Sequence, residues 1–185
     1  ALQALSKTSN LRAHNVAALL RGNICNAPAM TEAVLLLNGQ QMFQHSIALG
    51  TTFLKRCSSS YSIAFPVAYA MYHSSRLEDA ARLLREYEPV KRDNSQYYTW
   101  RGFVDERLGR HTTAARHFLK ALTLFPDLKN VHVQQFYYAT RALEAAGKPC
   151  EAMHPLQMYV ALEPAKRMTG QIRSILNRLR QRGRC

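Results

Sequence analysis

The sequence is short of acids, of long apolar runs and of glycine-rich loops, and each shortage removes a class of protein. Only 12 Asp and Glu stand against 25 Lys and Arg, a formal charge of +13. After Glu163 there is no acid at all, while Lys166, Arg167, Arg173, Arg178, Arg180, Arg182 and Arg184 follow. No stretch of about 18 apolar residues occurs, so the sequence contains no helix able to cross a membrane. A Gly-rich phosphate loop and a Gly-x-Ser-x-Gly elbow are both absent, which removes the nucleotide cradle and the hydrolase nucleophile built on them. His14, His45, His73, His111, His117, His132 and the Cys150-x-x-x-His154 pair show no zinc-site spacing repeated in a second half. His111 reads as a loop residue and His117 as a helix-surface residue. Glu78 with Asp79, and Asp105 with Glu106, are adjacent acids that point to different helix faces and cannot act as a facing carboxylate pair. The expectation is a non-catalytic protein with no cofactor. Ala1 follows no initiating Met or basic-apolar-small signal, and does not separate a processed terminus from an excised boundary.

What is present is a pattern of small and large residues, clearest from Tyr98 to Pro126. Gly102, Ala114 and Ala121 let two helices approach closely, while Tyr98, Leu108, Phe118 and Leu122 fill the space around them. Gly109 stands where the first helix must stop, because glycine accepts the left-handed conformation that ends helices, and Pro126 closes the second. A shift back of 34 residues aligns Ala64, Ala68, Ala80, Leu84 and Tyr87 with Tyr98, Gly102, Ala114, Phe118 and Ala121. A shift forward of 38 brings in Phe136, Thr140, Gly147, Ala152, Leu156, Tyr159 and Pro164, the extra residues falling between Asp127 and Asn130. Ser75 with Glu78 reads as a capping box, Asp93 with Gln96 similarly, and Gly147-Lys148-Pro149 followed by Glu151 ends one helix and begins the next.

This pattern resembles the tetratricopeptide repeat (TPR). The resemblance implies an all-α, TPR-like right-handed superhelix of antiparallel helix hairpins with a C-terminal capping helix, whose surface holds another chain. The expected organisation is a diverged N-terminal helical region over residues 1–58, three hairpins over 59–164, and a basic capping helix and tail over 165–185. Within the first region, Asn10 to Arg21 reads as a short amphipathic helix through Leu11, Val16, Ala17, Leu19 and Leu20. Met30 to Leu37 and Gln41 to Leu54 read as a further helix pair with Asn38-Gly39 as the turn, a fourth and diverged hairpin. Thr169 to Arg180 places Ile172, Ile175, Leu176 and Leu179 on one face and Arg173, Asn177, Arg178 and Arg180 on the other, as a helix covering the open end of a repeat array requires.

The four cysteines allow three pairings. In this architecture Cys25 precedes the diverged hairpin and Cys57 ends it, while an antiparallel return brings Cys185 back to Cys150. The local pairings Cys25 with Cys57 and Cys150 with Cys185 would each contribute about 3 to 4 kcal/mol in the chain-entropy model. Disulfides imply a periplasmic or other extracytoplasmic location; the alternative is four buried thiols in a cytoplasmic protein.

The TPR resemblance also implies a partner groove lined by the first helix of each hairpin. Its residues here are Phe65, Tyr69 and Tyr72, then Gln96, Thr99 and Phe103, then Gln134, Tyr137 and Arg141. Aromatic side chains and arginine anchor protein partners, and amides hydrogen-bond an extended peptide backbone. The family's chaperone-tail binders use Lys, Asn and Arg to clamp a terminal carboxylate. Phe65 and Tyr69 stand where the first of these would lie, which argues against that ligand. The basic face of Arg173, Arg178 and Arg180 offers a second contact, for an anionic partner or an acidic protein segment, or is a solvated helix face. The expected function is therefore a protein or peptide interaction module, an adaptor or scaffold within a larger bacterial envelope assembly. The alternative is a basic helical-repeat protein that binds nucleic acid through phosphate neutralisation.

Overall fold

Asn94, His132 and Thr169 each begin a helix by the same chemistry: a short side chain accepts a backbone N–H that the first turn cannot satisfy internally. Asn94 Oδ1 accepts from Tyr97 N–H at 2.9 Å, His132 Nδ1 from Gln134 N–H at 3.2 Å, and Thr169 Oγ1 from Ile172 N–H at 3.3 Å. The structure, a computed structural model, describes residues 11–57, 61–87, 94–128 and 131–185, and these form two compact units divided after Arg92. The first holds α1 (Leu11–Gly22), α2 (Ala27–Gly39), α3 (Phe43–Arg56), α4 (Tyr61–His73) and α5 (Leu77–Glu86). The second holds α6 (Ser95–Arg107), α7 (His111–Thr123), α8 (Val133–Ala145), α9 (Pro149–Leu162), the single turn α10 (Pro164–Arg167) and α11 (Gly170–Gly183). No strand occurs among the described residues.

The helices pair as hairpins, α2 with α3, α4 with α5, α6 with α7 and α8 with α9. Every hairpin reverses in the same way. Gln41, Ser75, Gly109 and Gly147 take positive φ of 58°, 59°, 73° and 75°. The next residue's amide then reaches back five positions: Met42 to the Leu37 carbonyl, Arg76 to Met71, Arg110 to Asp105 and Lys148 to Leu143, all at 2.8 to 3.0 Å. This closes the Schellman motif that satisfies the last carbonyls of a helix. In the first unit α2 and α3 both pack on α4, and α1 packs on α2; in the second, α7 packs on α8 and α11 on α9.

Two contacts are possible only because a side chain is missing. A β-carbon on Gly102 of α6 would lie 2.5 Å from the Phe118 ring of α7, and one on Gly50 of α3 would lie 2.1 Å from Val67 Cγ2 of α4. Phe118 cannot retreat, because it is 1% exposed and held between Phe103 and Tyr138, with ring centroids at 5.3 and 5.5 Å. Across the same hairpin the buried Asp105 carboxylate meets His117 Nδ1 at 2.9 Å. His117 is therefore an interior residue, not the surface residue that its sequence position suggests. The capping helix fits its expectation: Ile172, Leu176 and Leu179 are buried against the second unit's core.

Other expectations shift by a residue or a role. Asn38 and Gly39 are the last residues of α2, and the turn falls at Gln40 to Met42. Ser75 does not cap α5; it is the left-handed turn residue, and Arg76 occupies the N-cap without a side-chain bond. Asn94 caps α6, while Asp93 and Asn10 lie outside the described residues. Leu19 is 54% exposed, and the buried stripe of α1 is Ala13, Val16, Ala17 and Leu20.

Both disulfides form with the expected pairing, Cys25 to Cys57 and Cys150 to Cys185, across 32 and 35 residues. Cys25 sits in the α1–α2 connection and Cys57 at the end of α3, so the first ties both ends of one hairpin. Cys150 opens α9 and Cys185 follows α11. Gly183 makes room for that bridge, since a β-carbon there would lie 2.4 and 2.6 Å from the two sulfurs.

Two outcomes follow. Gly102→Ala gains about 0.5 to 1 kcal/mol of helix propensity but overpacks a rigid ring, which costs about 1 to 3 kcal/mol. A lower urea midpoint with an unchanged slope is expected; a raised midpoint would mean the ring moves freely. Intact-protein mass after alkylation should show no adduct before reduction and four after it. The paired change Cys150→Ser, Cys185→Ser should lower stability by about 3 kcal/mol, and unreduced protein taking up four adducts would remove this account of both ends.

Candidate partner-binding surfaces

α8 and α11 leave a cleft of about 190 Å³ between them, lined by Gln134, Tyr137, Tyr138, Thr140 and Arg141 with Glu144, Ile175 and Arg178. It gathers three of the expected groove residues and one of the expected basic face. Gln134 and Arg141 are exposed and Tyr137 is half-buried. Burial pushes the Tyr137 phenol above its ordinary value, and the neighbouring Tyr159 phenol adds to the rise. Thr140 is 4% exposed and its Oγ1 finds no hydrogen-bond partner. The cleft thus combines aromatic walls, an exposed amide and a buried hydroxyl.

The arginines of this cleft are already engaged. Arg141 donates to Glu106 of α6 through Nε at 2.7 Å and Nη2 at 2.6 Å. Arg178 donates to Glu144 of α8 at 3.0 Å, and Arg182 reaches the other oxygen of the same carboxylate. The two links are one motif used twice: the 38-residue shift that superposes α6 on α8 carries Glu106 onto Glu144. Each acid accepts from an arginine on a later helix, Glu106 of α6 from α8 and Glu144 of α8 from α11, 35 and 34 residues later. Sequence reading missed both carboxylates, although the shift contained the signal. Arg173 and Arg180 are exposed on α11.

The remaining groove residues divide. On α6, Gln96 is exposed, Thr99 is buried and donates to the Ser95 carbonyl at 3.0 Å, and Phe103 packs on Trp100, Phe118 and Tyr138. On α4, Phe65, Tyr69 and Tyr72 are half-buried. Tyr69 and Tyr72 gather around His73 with centroids at 4.3 and 5.2 Å, and Phe43 of α3 stacks on the same imidazole at 5.3 Å. Asn38 donates Nδ2 to the Pro66 carbonyl at 2.8 Å, tying α2 to the middle of α4. On α5, Asp79 accepts from Arg76 at 2.9 and 2.7 Å and also from Arg82. The Arg76 hydrogen bonds hold its carboxyl below the ordinary value, burial opposes them, and Arg82 adds to the lowering.

Paired helices reversed by a left-handed residue, small residues at the crossing and a terminal amphipathic helix together define a TPR-like, all-α fold. No protein-family model and no curated protein matches the sequence. Solved structures do. The crystal structure of MamA is similar with a TM-score of 0.69 and 15% identity, over 82% of this chain and 86% of that one. MamA 41-end from Desulfovibrio magneticus RS-1 gives 0.71 at 12% identity, over 88% and 90%. YrrB, described as a TPR protein with an unusual peptide-binding site, gives 0.68 at 13% identity, over 90% and 91%. At these identities the likeness establishes the fold.

The Asp79 cluster sets a pH dependence. A carboxyl held below its ordinary value near 3.8 stabilises the fold above that pH, and the contribution fades as pH falls through the folded-state value. Asp79→Asn is therefore expected to lower the urea midpoint at pH 7, and its gap to the parent protein is expected to narrow as pH is taken from 7 down to 3. A gap of equal size at both pH values would show that the ion pairs are not its source.

Proposed function

We propose that the protein is a non-catalytic interaction module that docks a polypeptide partner on the first helices of its hairpins, with the α8–α11 cleft as the principal contact. The observation that carries this reading is the convergence of Gln134, Tyr137 and Arg141 on one concavity. Tyrosine provides a large contact area at small entropic cost, and the exposed Gln134 amide matches the donors and acceptors of a peptide backbone. Phe65, Tyr69 and Tyr72 on α4 provide a second contact of the same kind, while Gln96, Thr99 and Phe103 contribute chiefly through Gln96. The TPR-like fold supports the reading, since such folds serve as docking surfaces.

The two disulfides support an oxidising, extracytoplasmic compartment, such as the periplasm, with the protein acting as an adaptor within an envelope assembly. Nucleic-acid binding is the less favoured use of the basic face. Arg178 and Arg182 are committed to Glu144, which leaves Arg173, Arg180 and Arg184 as the outward charges of this segment.

A photo-crosslinking residue at Gln134 tests the site directly. In host extract it should capture a discrete polypeptide, and capture should be lost with Tyr137→Ala. The same residue at the exposed Arg116 of α7 serves as control. Equal capture from Arg116, or capture that survives Tyr137→Ala, would place the partner elsewhere.

A further inference from the structure

We propose that the first unit carries a second docking surface, on the second helices of its hairpins, which takes an acidic amphipathic helix of a partner protein. α3 and α5 each pack on α4 and leave a groove between them. Two adjoining cavities of about 330 and 200 Å³ form it and share Thr51, Lys55, Met71, Asp79 and Arg82. On α3 the lining runs from Gln44 through Ile47, Thr51 and Leu54 to Lys55, a stripe at helical spacing that spans about 16 Å at 1.5 Å per residue. Facing it, Arg76 at the α5 N-cap and Asp79, Arg82, Leu83 and Glu86 of α5 repeat the same spacing. Parallel stripes of this length match three turns of a third helix, the helix-in-groove mode of recognition.

The floor and the rim ask for different chemistry. Ile47 and Met71 are buried and Leu54 and Leu83 half-buried, so the floor offers apolar surface to an apolar stripe. On the rim, Lys55 is exposed and makes no ion pair among the described residues. Arg76 gives Nε and one terminal nitrogen to Asp79, and Arg82 gives one terminal nitrogen, so each guanidinium keeps N–H groups for another acceptor. Their side chains are 44% and 70% exposed. Three cations thus face two acids, and Asp79 is already held between two arginines. Carboxylates flanking an apolar stripe satisfy both halves. A phosphate backbone would satisfy the rim alone and leave the floor uncovered.

The test uses the whole chain and a synthetic amphipathic helix of about four turns, Leu on one face and Glu on its flanks. Binding is followed by anisotropy, and its place by the methyl NMR signals of Met71, in the floor, and Met158, in the second unit. The acidic peptide should move Met71 and leave Met158 unmoved. A peptide with Lys in place of Glu should bind at least tenfold more weakly. Lys55→Glu with Arg82→Glu changes two exposed side chains and should weaken the acidic peptide at least tenfold with unchanged helical circular dichroism. The proposal is overturned if Met71 stays in place, if the double variant keeps its affinity, or if the two peptides bind alike. It is also overturned if an oligothymidine shifts Met71 and the peptide does not. Because Tyr137→Ala lies in the other unit, it should leave this binding intact, so failure here and failure of the α8–α11 site are separable.

Discussion

Each hairpin reverses through one residue in the left-handed region, and the remaining order of the chain depends on that constraint. The turn lets the following amide return to a carbonyl five residues back, which fixes where one helix ends and where the next begins. Phase is thereby set for every other contact. At Gly109 and Gly147 the conformation is free of strain, whereas at Gln41 and Ser75 it costs about 1 to 2 kcal/mol each. The structure tolerates this because each turn holds a helix pair whose buried Leu, Ile, Val and Phe side chains contribute about 1.5 to 3 kcal/mol apiece.

Once phase is fixed, a side chain recurs at the same place in successive hairpins and can be used again. Glu106 and Glu144 are such a pair, each reaching an arginine about one repeat later in the chain. With side chains 17% to 62% exposed, these ion pairs are worth about 0.2 to 1 kcal/mol each. They do not hold α11 in place. Burial of Ile172, Leu176 and Leu179 does most of that, and the disulfide adds about 3 to 4 kcal/mol by restricting the unfolded chain. What the ion pairs contribute is register: a slide of α11 along α8 would separate Arg178 and Arg182 from Glu144 together. The cleft keeps its shape because its wall is set by packing and its alignment by charge.

How much of this was legible in the sequence follows from the kind of constraint each residue answers. Gly102, Gly109 and Ala114 admit few substitutes, so the α6–α7 hairpin could be read directly and both neighbours found by shifting it. Gln41 and Ser75 perform the task of Gly109 under strain and carry no compositional mark, so α2–α3 read as diverged although it keeps the same turn. The cysteine pairing followed from antiparallel helices alone. His117 read as a surface residue because its burial depends on Asp105 across the hairpin, and no local pattern reports a partner twelve residues away. Of the groove residues, Gln134, Tyr137 and Arg141 were named by position, but Ile175 enters the cleft only once α11 has docked. The α3–α5 groove was not legible at all, since it is a gap between helices and a gap leaves no residue pattern.

The net charge of +13 illustrates why placement must precede electrostatics. Read as a total, it describes a basic protein suited to phosphate or to any acidic surface. Read by location, some cations are paired, Arg141 with Glu106, Arg178 and Arg182 with Glu144, and Arg76 and Arg82 with Asp79, and the net excess, which already subtracts the acids, is carried largely by the others. In the α8–α11 cleft the guanidinium groups meet carboxylates of the same unit, so long-range attraction there is weak, and contact area and hydrogen-bond matching decide what binds. Exposed cations outside these pairs include Lys55 in the first unit and Arg116, Arg173, Arg180 and Arg184 in the second. Within the second unit the exposed Arg173 and Arg180 lie outside the lining of the α8–α11 cleft, so free charge and aromatic contact area are offered there by different residues.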